Sequence, residues 1–267
     1  MNNKRILSIL LVTLVLCAHI LVGGVLAQDD MQSITIEATE NGLVVPETVS
    51  AGWVEIVFDN TSEIPLYSIL GRLDDEATLD EFFGALMGMF SGEASVVPPA
   101  TFLGSPLTLP EETQTAMYNL EAGTYVVVSV AGEQPDFATF VVEGDMSEDE
   151  IEADLTIPLA DFVFGLPIEL NAGEQIWQIE NRGEQWHEMV FIPIPEGSTM
   201  EDAMMMLMPA EGDAESEDGG ALDLAGIELF WSPMSEDENA LLRVDLAAGT
   251  YLVSCFIPDV NPEEMMS

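Results

Sequence analysis

The chain has 267 residues and carries 49 Asp and Glu against 5 Lys and Arg, a formal net charge of −44 at pH 7. A hydrophobic share of 48% is too high for an acidic disordered chain, so a packed core is expected beneath an anionic surface. That surface repels phosphate backbones and anionic lipid heads, which excludes nucleic-acid binding and polybasic membrane docking. Two His and two Cys exclude multi-His zinc sites and Cys-rich clusters.

Residues 1–27 read as an export signal. Lys4 and Arg5 precede an apolar run from Ile6 to Ala27, and the acidic body opens at Gln28-Asp29-Asp30. Cleavage is expected after Ala27. The run is also long enough, at about 20 residues, to stay as a membrane anchor. Cys17 is a poor lipoprotein cysteine because Leu16 precedes it. Either way the body lies outside the cytoplasm. Without this segment, Arg72, Arg182 and Arg243 are the only bases, and one His (His187) and one Cys (Cys255) remain. A lone thiol in an oxidising compartment is buried, pairs with another chain, or ligates a metal.

In chain order, Ser33–Ala38, Val54–Phe58 and Tyr125–Val130 alternate apolar and polar residues and are rich in β-branched side chains, which predicts strands. Between them, Thr78 with Glu81 reads as a capping box ahead of a helix over Phe82–Phe90. Phe137–Glu143 reads as a closing strand, and Glu143–Asp154 as an acidic linker. The pattern then repeats at a shift of 121 residues. Val45-Pro46 matches Leu166-Pro167, and the strand Val54–Phe58 matches Gln175–Ile179. Both of those strands run on to an Asn, Asn60 and Asn181. Ser198 with Glu201 reads as a second capping box before Ala203–Met208, and Glu211–Gly220 as a solvated loop. After a five-residue insertion, Leu120–Tyr125 matches Leu246–Tyr251. A period this long predicts a duplicated domain, 28–145 and 146–267, each an all-β two-layer antiparallel sandwich with a short inserted helix.

An Ala-Gly turn, a strand ending in Asn, a His shortly after, and a late Gly-Thr-Tyr strand running into Cys resemble the cupredoxin (blue-copper) superfamily. The second half carries these motifs in Asn181–His187 and Ala248–Asp259. The resemblance implies tandem Greek-key β-sandwiches, a copper cofactor, and an electron-transfer or copper-binding role with a redox partner protein. It also implies that His187 is an equatorial imidazole ligand and Cys255 the thiolate. A blue-copper centre takes two imidazoles and a thiolate, with a weak axial thioether. No His follows Cys255, and Met265 and Met266 stand at the end of the chain. The second domain is therefore expected to lack its last strand, with the remaining ligands beyond Ser267. In the first half, Leu66 and Ser129 replace His187 and Cys255, so that domain is expected to hold no copper.

Other readings stand beside this one. His187 can be a satisfied histidine at a strand edge, and Cys255 a small buried hydrophobe. Met204, Met205, Met206 and Met208 could take Cu(I), but the spacing of Met200, Met204 and Met208 is that of a helix face on a core. No nucleophile-elbow, phosphate-loop or zincin motif occurs, so enzymatic activity is not expected. The rival to a copper protein is a metal-free β-sandwich module that binds a cell-surface component or ligand.

Overall fold

The computed structural model describes residues 31–91, 97–132, 135–161, 163–199, 201–202 and 226–257. The export segment 1–27, Met200, Ala203–Met208, the loop Glu211–Gly220 and Met265–Met266 lie outside these residues. The first half contains β1 (Gln32–Thr39), β2 (Gly42–Val44), β3 (Thr48–Ser50), β4 (Gly52–Asn60), β5 (Leu66–Leu73), α1 (Leu79–Ser91), β6 (Ala100–Phe102), β7 (Leu107–Thr108), β8 (Thr113–Leu120), β9 (Gly123–Ser129) and β10 (Asp136–Glu143). The second contains β11 (Leu155–Ala160), β12 (Val163–Phe164), β13 (Gly173–Asn181), β14 (His187–Ile194), β15 (Leu229–Met234), β16 (Asn239–Leu246) and β17 (Thr250–Ser254).

Alternation decides which face each strand buries. In β4, Val54, Ile56, Phe58 and Asn60 are buried while the residues between them are partly exposed; in β13, Trp177, Ile179 and Asn181 continue the same pattern. The first half forms two layers, β2-β1-β4-β8 and β3-β10-β9-β5-β6. The chain crosses between layers from β4 to β5 and from β8 to β9, the Greek-key path. The second half repeats it with β12-β11-β13-β16 against β15-β14-β17. No counterpart of β10 lies among its described residues. Most pairings are antiparallel, as alternation predicts. β1–β4, β3–β10 and β11–β13 are parallel, because the chain visits other strands before returning in the same direction.

The pairing registers of the two halves coincide. Ile34 faces Ile56 as Leu155 faces Trp177, and Ala38 faces Leu43 as Leu159 faces Phe164. Ile69 faces Val128 as Val190 faces Ser254. The next pair along the first half is Ser68 with Ser129, so Cys255 occupies the register position of Ser129.

The halves are not separate bodies. β8 and β16 pair antiparallel, Ala116 opposite Leu242, which joins the two first layers into one eight-stranded sheet. Ala116 and Leu242 hold equivalent positions in their strands, since Gly52 faces Leu120 as Gly173 faces Leu246. A local two-fold axis therefore passes between them. The second layers also meet. Ser232 N–H donates to Ser105 O at 2.8 Å, Gly104 N–H to Pro233 O at 3.1 Å, and Ser235 N–H to Phe102 O at 2.8 Å. One apolar cluster runs through both halves, from Ile36 and Phe58 to Trp177 and Leu242.

The helix closes the outer face of the first half's second layer. Phe82 and Leu86 of α1 pack with Ile69, Phe102, Val126 and Val128, and burying each is worth about 2 kcal/mol. Its start is the predicted capping box: Glu81 N–H donates to Thr78 Oγ1 at 3.2 Å, and Thr78 N–H to Glu81 Oε2 at 3.0 Å. The second box is one residue later than expected. Thr199 pairs with Asp202, whose N–H donates to Thr199 Oγ1 at 3.2 Å, because Thr199 rather than Ser198 stands at the position of Thr78.

Candidate functional site

The strand-ending asparagines build the loops that follow them. Asn181, 1% exposed, donates from Nδ2 to Gln185 O at 2.7 Å and to Met234 O at 2.9 Å, and its Oδ1 accepts Gly183 N–H at 2.9 Å. Asn60 makes the equivalent bonds, to Ile64 O at 2.8 Å, to Thr108 O at 2.9 Å and from Ser62 N–H at 3.1 Å. Each amide satisfies backbone groups that a tight loop would otherwise leave dry. Each loop delivers one residue to the start of the next strand, Leu66 in the first half and His187 in the second.

His187 is buried, and its Nε2 lies 3.1 Å from Asp161 Oδ1. Asp161 follows β11 and also accepts the Glu184 and Gln185 amides at 3.4 Å each. Burial pushes the Asp161 carboxyl up, but the donations from His187 and the two amides outweigh it and hold the group below its ordinary range. As an ionised carboxylate it only accepts, so Nε2 carries the hydrogen. In the neutral ring the lone pair then sits on Nδ1. Gly183 makes the contact possible. A Cβ there would sit inside van der Waals distance of both Asp161 Oδ1 and His187 Nε2.

Cys255 directly follows β17 and is a free, half-buried thiol. Burial pushes its thiol up, and the Glu188 and Ile257 backbone amides offset this only in part. Glu188, beside His187 in β14, is 5% exposed and accepts Phe256 N–H at 2.8 Å. Burial raises its carboxyl and the Phe256 amide only partly offsets this.

His187, Cys255 and Asp161 line one cleft of about 280 Å³, together with Phe164 and Trp186. The two residues singled out from sequence are thus on one concave surface. Asp161 is the participant that sequence reasoning passes over. It is one of 49 acids and stands 26 residues from His187, so only the fold reveals the pairing.

The donors fit copper in kind, imidazole nitrogen and thiol sulfur, with a carboxylate orienting the imidazole. They do not complete a blue-copper set: among the described residues no three His, Cys, Asp or Glu side chains are grouped to hold a metal ion. In the first half, Leu66 and Ser129 offer no imidazole or thiol.

No family model matches the chain, and no curated protein matches it. Solved structures overlap it loosely. Lac15 from a marine microbial metagenome is 11% identical with a TM-score of 0.27, over 85% of this chain and 62% of its own. A multicopper oxidase is 11% identical with a TM-score of 0.22, over 87% of this chain and 86% of its own. The Cu-containing nitrite reductase of Thermus scotoductus SA-01 is 10% identical with a TM-score of 0.21, over 84% of this chain and 57% of its own. The chain thus spans 62% of the length of the first of these. The expectation of no enzymatic activity gains no support from these overlaps.

Proposed function

We propose that this is an exported, cupredoxin-like protein in which two duplicated units are fused and the second takes up copper through His187 and Cys255. One observation carries the reading: the mature chain's one imidazole and one thiol line the same cleft, at positions where the first half has Leu66 and Ser129. A copper ion bound there would supply one-electron transfer to a redox partner protein. Asp161 holds the ring through Nε2 and leaves Nδ1 for the metal. Gly183 leaves room for that pair, and Cys255, kept protonated by burial, releases its proton on ligation. Copper uptake therefore weakens as pH falls.

The test is titration of the full chain with Cu(II), read by visible absorption and electron paramagnetic resonance. The reading expects a stoichiometric thiolate-to-copper band that disappears in Cys255→Ser and weakens in His187→Ala. A second reading is a metal-free module for a cell-surface component or ligand, in which His187 and Asp161 serve as a structural pair that holds the loop after β13. A colourless protein that retains no copper, unchanged by Cys255→Ser, would decide for that module.

A further inference from the structure

A different cavity, of about 340 Å³, opens where β5, β6 and α1 of the first half meet the second half beside Glu188 and Phe256. This volume is in the range of small-molecule pockets. Four aromatic rings wall it: Tyr67, Phe102, Trp186 and Phe256. Phe102 and Trp186 come from different halves and stand edge to face, with centroids 4.8 Å apart and planes at 88°, so they form two perpendicular walls. Tyr67 is held by an edge contact with Phe230, with centroids 4.7 Å apart. Phe256 is 42% exposed and stands at the mouth.

One charged side chain lines this aromatic box, Glu188. It is 5% exposed, and one of its oxygens accepts the Phe256 amide. Among the described residues the other oxygen has no hydrogen-bond partner, and no cationic side chain pairs with the carboxylate. The three arginines pair with Glu121, Glu180 and Glu55. A buried carboxylate without a counter-charge is costly and is normally found paired. A cation entering at the mouth beside Phe256 would supply the counter-charge that no described side chain provides.

The walls restrict what that partner can be. A hard inorganic cation needs several oxygen ligands, and the box supplies one carboxylate. Aromatic faces attract a cation whose charge is spread over alkyl groups, and the apolar walls accept those groups without a hydration penalty. The strongly acidic surface concentrates such cations near the mouth.

We propose that this cavity binds a small quaternary or alkylated ammonium compound, with Glu188 as its counter-ion and Tyr67, Phe102, Trp186 and Phe256 as its cage. The site adjoins the His187–Cys255 cleft, sharing the Trp186 and Ile257 walls with it, and needs no copper.

Calorimetric titration of the full chain with choline, and with the uncharged isostere 3,3-dimethyl-1-butanol, tests the assignment. Choline is expected to saturate one site per chain and to bind at least about tenfold tighter than the alcohol. Glu188→Gln keeps the shape of the wall and is expected to remove at least about tenfold of that affinity, and Trp186→Leu to weaken it further. Equimolar sodium should not compete. No saturable choline binding, equal binding of the neutral alcohol, displacement by equimolar sodium, or unchanged affinity in Glu188→Gln would each overturn the proposal. The choline–alcohol comparison on the unmodified chain decides it even where a variant fails to fold.

Discussion

Replacing Asn181 by alanine removes one buried side chain and three hydrogen bonds together: to Gln185 O, to Met234 O and from Gly183 N–H, at 2.7–2.9 Å. A net value of about 1 kcal/mol per bond gives a loss of about 3 kcal/mol if water reaches the orphaned groups. If they stay dry the loss rises to about 5 kcal/mol. For a chain of this size the two losses correspond to falls of roughly 6–12 °C and roughly 10–20 °C in Tm. Asn60→Ala removes the equivalent bonds in the first half and should cost a similar amount. The two variants differ in what else they disturb, because only the Asn181 loop carries His187. Urea unfolding followed by tryptophan fluorescence measures the cost. A shift below about 1 kcal/mol at unchanged m-value would refute the argument that these amides hold the loops.

Four further outcomes follow from the same geometry. Gly183→Ala drives a methyl group between Asp161 and His187, so it should cost about 1–3 kcal/mol and break the pair; unchanged imidazole nitrogen NMR shifts would contradict this. Glu188→Gln should stabilise the protein at neutral pH. A carboxyl raised on folding contributes stability that is present below its ordinary range and is lost as pH rises through the raised folded value, so the variant should flatten that limb of a stability–pH curve. Asp161 is lowered on folding and acts oppositely: its contribution is present above the ordinary carboxylate range and is lost as pH falls through the folded value, a limb that Asp161→Asn should remove. Leu242→Ala, in the shared sheet and core, should cost about 3 kcal/mol and move a single unfolding transition; two separate calorimetric transitions would argue against a common core.

Much of the strand framework was legible because its signals are local. Alternation marks Val54–Phe58 and Gln175–Ile179, and the Asn that ends each run is visible as a repeated letter. The equivalence of Ser129 and Cys255, inferred from matched segments, agrees with the strand register. The capping slip from Ser198 to Thr199 shows the resolution of pattern reading, since Ser-Thr followed by Glu-Asp allows either box. What stayed hidden is long-range. Asp161 is recognisable only once β11 is beside the Asn181 loop. The Tyr67–Glu188 cavity needs residues from both halves, and a reading that treats the halves as separate sandwiches has no means of assembling it.

The joined sheet bears on how so acidic a β protein stays dispersed. Its outermost strands are β2, three residues long, and β12, two residues long, while the eight-residue strands β8 and β16 cap each other at the centre. Within this sheet the edges most able to recruit another molecule are thereby paired, and its rim strands are too short to template growth. By contrast, β17 in the second half's other layer keeps an outer edge without a strand partner among the described residues. Resistance of the joined sheet to edge pairing then rests on connectivity as well as charge, and should persist at salt concentrations that screen the anionic surface.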